Sequence, residues 1–284
     1  MTVNKVTINK VTDNLNETSI VDAQDKLARL FGLIAVRAGK AIMKVRAAGA
    51  SAQYKGDGSP VTAADLEADE IIRHCLKRNV SEFPVITEET CTAASIVDAE
   101  RFILVDPLDG TKEFIQGTPE FTVNIALIEH GKPTVGAVFA PALGRLYIGG
   151  SNAYRLEVAD HDVEPSFSGM HPIEVRRPPA EGWRVVVSRS HLDPSTKQWI
   201  DRHRISELKP SGSSLKFCAI AEGEADVYPR LAPTMEWDTA AGHAVLMAAG
   251  GCVTGIDGQP MQYGKPEYRN GHFVAWGLVD RTVG

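Results

Sequence analysis

Apolar residues Leu27, Leu30, Phe31, Ile34, Ala38, Ile42 and Val45 recur three and four positions apart between residues 20 and 48. That spacing is one face of a helix. Lys26, Arg29, Arg37, Lys40, Lys44 and Arg46 decorate much of the remainder, so two readings stay open. One is a packed helix with a solvated face, which the pattern favours; the other is a basic amphipathic helix on an anionic membrane. Gly56-Asp57-Gly58-Ser59-Pro60 breaks the helix, and Thr62 is placed to cap a second one running to residue 78. Beyond it the period shortens. Apolar runs at 83–86 and 102–105 precede two longer ones, 121–129 and 134–140, around His130-Gly131-Lys132-Pro133. These two runs read as a hairpin whose turn type is open, and 146–148 and 154–158 extend the antiparallel set.

Residues 160–181 are rich in Pro, Ser and Gly and read as a connector. After it the rhythm changes to strands near 184–187, 205–208, 225–228 and 252–254. Helices over 194–203, 214–222 and 239–249 alternate with them. The pattern predicts a loose tail (1–19), an α+β subdomain with a mostly antiparallel sheet (20–180), and a smaller α/β subdomain (181–284).

Composition changes this picture little, whereas charge and cysteine usage narrow it. The 284 residues carry 30 basic and 36 acidic side chains, a net charge of -6, which argues against a nucleic-acid coat. No apolar run approaches the roughly 20 residues of a membrane span. Four scattered cysteines, Cys75, Cys91, Cys218 and Cys252, follow a polar start without the apolar core of a signal peptide. The expectation is a soluble cytoplasmic protein with reduced thiols.

Where, then, do the excess carboxylates sit? Asp106-Pro107-Leu108-Asp109-Gly110-Thr111 leaves the apolar run 102–105 and sets two carboxylates and a hydroxyl at the end of a strand. Asp-Pro and Asp-Gly are also plain turn signals. Two carboxylates so close repel unless a cation lies between them, and hard divalent ions take such oxygen ligands. Glu88-Glu89, Asp65 and Asp238 are further candidates, each with a bland alternative. The glutamates suit a surface, Asp65 the first turn of a helix, and Asp238 a helix N-cap.

Ser59-Pro60-Val61-Thr62 through Asp65, then Glu88-Glu89, then Asp106 to Thr111, then Trp237-Asp238-Thr239-Ala240-Ala241-Gly242 occur in one order. In that order they resemble the inositol monophosphatase superfamily of Mg²⁺-dependent, lithium-sensitive phosphatases. The resemblance spans about residues 20–280; Thr87 departs from it, since Gly or Ser commonly precedes the paired glutamates. Within the superfamily the chain is most similar to the 3′(2′),5′-bisphosphate nucleotidases of the CysQ type. That similarity runs through Lys112-Glu113-Phe114-Ile115, Gly212-Ser213-Ser214-Leu215-Lys216 and Asp226-Val227-Tyr228-Pro229-Arg230.

The resemblance implies a layered αβαβα sugar-phosphatase fold and two or three Mg²⁺ ions per site. Glu88, Asp106 and the Leu108 carbonyl would bind the first ion, and Asp106, Asp109 and Asp238 the second. It further implies that Asp65 and Thr111 activate the attacking water, with Glu88 contributing. The scissile phosphate would rest near Gly110 and Thr111, among Glu88, Leu108, Asp109 and Asp238. Ser213, Lys216 and Arg230 would meet a second phosphate, and Ser190 and His191 the base or sugar. Bland readings remain here too: Ser213 or Ser214 as a helix cap, Lys216 solvated, His243 as packing.

The implied reaction is hydrolysis of 3′-phosphoadenosine 5′-phosphate to AMP, or of its 5′-phosphosulfate analogue to adenosine 5′-phosphosulfate. The alternatives are an inositol monophosphatase, a fructose-1,6-bisphosphatase, or a non-catalytic nucleotide-binding regulator. The partner is a small phosphorylated nucleotide, and some relatives lie at the cytoplasmic face of the inner membrane. Ser190, His191 and Asp193 make no serine-hydrolase triad, because a G-x-S-x-G elbow is missing. Setting aside Asp65, Glu88, Asp106, Asp109 and Asp238 reduces the acidic excess from 6 to 1.

Overall fold

The first helix, α1 (Glu17–Ala48), carries the predicted stripe and begins three residues before the expected start, inside the segment read as tail. Leu27, Phe31, Ile34, Ala38 and Ile42 are buried, and Leu30 and Val45 pack against them. The packed-helix reading therefore holds: Lys26, Arg29, Arg37 and Lys44 form a solvated edge. The computed structural model describes residues 17–49, 52–54, 60–91, 99–158, 165–189 and 192–278. Residues 1–16 of the expected tail, most of the break at 56–60, and Ser190 and His191 lie outside the described residues.

A short ladder of β1 (Ala52–Tyr54) and β2 (Pro60–Thr62) leads into α2 (Ala63–Asn79). Thr62 caps α2 as its position predicts. Its hydroxyl accepts from the Ala64 N–H at 3.1 Å, and the Asp65 carboxylate accepts the Thr62 N–H at 2.7 Å. This reciprocal box satisfies amide donors that the first helical turn would otherwise leave unpaired.

Next come β3 (Val85–Thr87), β4 (Arg101–Asp109), the short α3 (Thr111–Ile115), β5 (Thr122–Glu129) and β6 (Lys132–Ala140). With β7 (Arg145–Gly149), β8 (Ala153–Glu157) and β9 (His171–Pro172) the strands form a seven-stranded sheet in chain order. Only β3 and β4 pair in parallel; the other pairs are antiparallel. His130 and Gly131 have φ of 50° and 76°, so the hairpin turn is type I′, whose twist matches the strands it joins.

The second half supplies β10 (Trp183–Ser188), α4 (Pro194–Ile200), β11 (Ile205–Ser211), α5 (Leu215–Ala221) and β12 (Val227–Arg230). It continues through β13 (Thr234–Met235), α6 (Ala240–Ala248), β14 (Cys252–Gly255), β15 (Arg269–Asn270) and β16 (Phe273–Trp276). Five of these strands form a sheet in the order β11-β10-β12-β16-β14. Several outcomes differ from the sequence pattern, and the stretch read as a connector gives β9 to the large sheet. Helix α4 stops at Ile200 rather than 203, and β16, which the pattern does not predict, lies inside this sheet.

The elements stack as five layers. α1 and α2 cover one face of the large sheet, α5 and α6 lie between the two sheets, and α4 packs outside the second. Buried Leu104, Val138, Phe217, Val245 and Phe273 belong to one cluster, so the two sheets share a core through α5 and α6. Helix α6 lies almost on the backbone of β6 and β7. A Cβ on Gly136 would fall 2.6 Å from the Ala241 carbonyl oxygen, and one on Gly149 2.7 Å from Val245 Cα. Removing side chains at these two strand positions lets the helix approach the sheet and fixes the height of its first turn. Among the described residues no helix is long and apolar enough to cross a membrane.

Candidate active site

Strand β4 carries Asp106 into the core and then breaks register with β5 between Asp106 and Asp109. Pro107 cannot donate to a ladder, and the irregularity re-aims the following residues, as bulges at strand ends do. The Leu108 N–H turns back to Asp106 Oδ1 at 3.1 Å. Gly110, at φ 92° and ψ 38°, then makes a left-handed step disfavoured for other residues, and α3 starts at Thr111.

Parallel pairing of β3 with β4 delivers Glu88 beside this turn, its N–H bonded to the Val105 carbonyl at 3.1 Å. The turn before α6 delivers Asp238 from the other side. Glu88, Asp106 and Asp238 each present an oxygen within 4.8 Å of one another. Asp106 is buried; Glu88, Asp109 and Asp238 are half-buried. Desolvation raises the Asp106 carboxyl well above the ordinary carboxylate range, and repulsion from Glu88, Asp109 and Asp238 adds to it. Asp238 is raised likewise by desolvation and by Asp109. Desolvation raises Asp109 as well, against the pull of Lys216 and a hydrogen bond from Ser213. Such a group of oxygen donors, strained by mutual repulsion, fits a hard divalent cation, which would neutralise it.

The N-cap reading of Asp238 does not hold. Thr239 occupies that position without a side-chain cap, and the Asp238 carboxylate accepts the Met235 N–H at 2.8 Å. The cap reading of Ser213 and Ser214 fails in the same way. Ser214 stands at the N-cap of α5, but its hydroxyl donates to Asn124 Oδ1 at 2.7 Å. Asp65, by contrast, serves both roles. One oxygen closes the capping box, and the other accepts the Thr111 hydroxyl at 3.0 Å. Thr111 Oγ1 also lies 3.2 Å from the Leu108 carbonyl. Desolvation raises the Asp65 carboxyl against its hydrogen bonds from Thr62 and Thr111.

Beside the acids opens a cavity of about 200 Å³, lined by Asp109, Gly110 and Asp238 and also by Lys216 and Arg230. Lys216 is buried; desolvation pushes its amine down to about 8, against the attraction of Asp109. Its ammonium donates to the Ser213 carbonyl at 2.5 Å and lies 5.4 Å from the centre of the Tyr228 ring. The solvated reading of Lys216 is therefore wrong. Arg230 Nε is buried with no hydrogen-bond partner, a donor that an anion in the cavity would satisfy. Ser213 lines the same cavity, with its hydroxyl turned to Asp109 Oδ2 at 2.5 Å. His243 is packing as expected: buried in α6, it lies 3.0 Å from the Tyr263 hydroxyl, and desolvation lowers it to about 3.

Sequence reasoning missed Lys112, Glu113 and Thr234 as cavity residues, along with the brace behind Asp238. In that brace the fully buried Glu236 accepts the Gly264 N–H at 2.7 Å and pairs with Lys265 at 2.6 Å. A glutamate between Met235 and Trp237 was the available signal, since an isolated acid in an apolar run needs a partner.

Residues 23–279 match the sequence pattern of the inositol monophosphatase family. The chain is 44% identical over 236 residues to the 3′(2′),5′-bisphosphate nucleotidase CysQ of Escherichia coli O157:H7, covering 81% of this chain and 91% of that one. It is 43% identical over 233 residues to the protein of the same name from Salmonella typhimurium, with the same coverage. The crystal structure of CysQ from Bacteroides thetaiotaomicron superimposes with a TM-score of 0.77 at 37% identity, covering 90% of this chain and 98% of that one. A match over nearly the whole length, on a fold shared with a solved relative, makes this chain a member of the inositol monophosphatase family.

Proposed function

We propose that the protein is a 3′(2′),5′-bisphosphate nucleotidase that removes the 3′ phosphate of 3′-phosphoadenosine 5′-phosphate, yielding AMP and phosphate. The 5′-phosphosulfate analogue is a second substrate of the same geometry. The observation that carries this reading is one cavity lined both by Asp109 and Asp238 of the acid group and by two cations, the buried Lys216 and the half-buried Arg230. A substrate with two separated phosphates fits both groups at once.

Glu88, Asp106 and the Leu108 carbonyl would hold one Mg²⁺, and Asp106, Asp109 and Asp238 a second, with room in the proposal for a third. Bound Mg²⁺ supplies the charge that acidifies a water and neutralises the departing oxygen. The chain's own residues do the rest. Thr111 donates its proton to Asp65 Oδ1, which leaves its hydroxyl lone pairs to accept from the attacking water. The elevated carboxyl of Asp65 suits the group that finally receives that proton. Backbone amides at Gly110 and Thr111 would cradle the scissile phosphate. Lys216, Arg230 and the cavity around Ser213 would fix the 5′ phosphate, Arg230 through a planar fork and Lys216 as a point charge. Ser190 and His191 would contact the nucleoside. The reading places the enzyme in the cytoplasm, in keeping with four free cysteines.

The test is a substrate panel with and without Mg²⁺ and Li⁺. The bisphosphate nucleotide should be hydrolysed fastest, only with Mg²⁺, and less with Li⁺. Preference for inositol 1-phosphate or fructose 1,6-bisphosphate by about tenfold in kcat/KM would overturn the assignment. No phosphate release from any of them would favour a regulator on a phosphatase scaffold.

A further inference from the structure

Ser213 stands where the backbone asks for glycine. Its φ is 53°, in the left-handed region that side chains rarely adopt, and it directly follows Gly212. Retaining a side chain there calls for a compensating contact, and the structure supplies one. Ser213 Oγ lies 2.5 Å from Asp109 Oδ2, 3.2 Å from the Asp109 carbonyl and 2.5 Å from Thr122 Oγ1. Thr122 Oγ1 is 2.9 Å from Ser214 Oγ, Ser214 donates to Asn124 Oδ1 at 2.7 Å, and Asn124 Nδ2 reaches Asp109 Oδ2 at 3.5 Å. Thr122, Asn124 and Ser214 are all buried.

With Asp109 ionised, as a cation seat requires, its carboxylate only accepts, and this sets the direction of the bonds that reach it. The Ser214 proton goes to Asn124, the Asn124 amide faces Asp109, and the single Ser213 proton goes to Asp109. The single Thr122 proton then goes to the lone pairs of Ser213 or of Ser214. The loop is anchored just before this point, where the Gly212 N–H donates to Glu120 Oε2 at 3.1 Å. Glu120 is itself forked to Arg189 at 2.6 and 2.9 Å.

We propose that Ser213 is a positioning residue for Asp109: its hydroxyl sets the rotation of that carboxylate, and so the affinity of the second cation seat. What Ser213 offers the phosphate side of the cavity is its carbonyl, which holds the Lys216 ammonium and which any residue at this position would keep. The inference rests on the proposed reading of Asp109 as a cation ligand.

The variants are Ser213→Gly and Ser213→Ala; glycine is at ease at this φ, so Ser213→Gly separates the lost hydroxyl from backbone strain. Mn²⁺ binding is titrated without substrate by electron paramagnetic resonance. The Mg²⁺ concentration for half-maximal hydrolysis and the nucleotide KM at saturating Mg²⁺ are then measured. Both variants should bind Mn²⁺ about 10- to 100-fold more weakly and need correspondingly more Mg²⁺, with KM unchanged. Unaltered Mn²⁺ and Mg²⁺ dependence with a raised KM would make Ser213 a phosphate ligand and overturn the proposal. The Mn²⁺ titration needs no substrate, so it decides the role of Ser213 whether or not the wild type accepts the nucleotide. A wild type that binds Mn²⁺ yet spares the nucleotide overturns the substrate assignment alone. One that binds no Mn²⁺ overturns both readings.

Discussion

Replacing Lys216 with methionine keeps the unbranched stem in its buried slot and removes the ammonium, with its charge and its bond to the Ser213 carbonyl. The structure gives the scale of the expected loss. Lys216 and Arg230 line one cavity, so on the proposed reading each would make a charge-assisted bond to the 5′ phosphate. Such a bond contributes about 1.5–3 kcal/mol, or about 10- to 150-fold in kcat/KM. Lys216→Met should therefore lower kcat/KM for 3′-phosphoadenosine 5′-phosphate by about that factor at saturating Mg²⁺. Arg230→Met should do the same, and the double variant should lose less than the product, because both groups address one phosphate. The control is 3′-AMP, which has the same scissile bond and no 5′ phosphate; its kcat/KM should hardly change. The pH profile supplies a second signature. With its amine pushed down to about 8, Lys216 is charged below that pH and neutral above it, so bisphosphate turnover should fall on the alkaline side. The 3′-AMP profile should lack that limb. Equal losses on both substrates would refute the reasoning, since they would place Lys216 at the chemistry and not at the second phosphate.

Three further outcomes follow from the geometry. Asp65→Asn and Thr111→Val should each lower kcat by about 10²- to 10⁴-fold while Mn²⁺ binding stays intact, because they touch the water and not the ions. Asp106, Asp109 and Asp238 titrate above the ordinary 3.8, so the folded, metal-free chain holds protons that the unfolded chain has released. Its stability must then fall as pH rises from about 4 through those elevated values. Melting in EDTA should accordingly occur at a higher temperature at pH 5.5 than at pH 8, and Mg²⁺ should close the gap. Gly242→Ala would put a Cβ 2.7–2.8 Å from the Phe217 ring, where α6 meets α5. It should cost about 1–3 kcal/mol in urea unfolding and raise the nucleotide KM by displacing Lys216, one residue from Phe217.

The α1 stripe, the Thr62 cap and the 130–131 hairpin were legible because each depends on residues close in sequence. The acids were legible as well, since Asp106 to Thr111 is a local turn with its chemistry inside it. Strand β16 was not. Phe273–Trp276 is too short to announce a period, and it becomes a strand by pairing with β12 and β14. The role of Glu236 depends on a loop 28 residues away, and that of Ser213 on Asp109, 104 residues earlier. Turn chemistry misled at Asp238 and Ser214. Both have the residue types of helix caps, but the Met235 N–H just upstream takes the Asp238 carboxylate, and Asn124 on β5 takes the Ser214 hydroxyl.

The acids and the cations of this site descend from different parts of the fold. Glu88, Asp106 and Asp109 belong to the large sheet and Asp238 to the turn above it; Lys216 and Arg230 stand on α5 and β12. On the proposed reading, hydrolysis and recognition are thus carried by separable parts. Drift in α5 and β12 can exchange one phosphate ester for another while the acids stay in place.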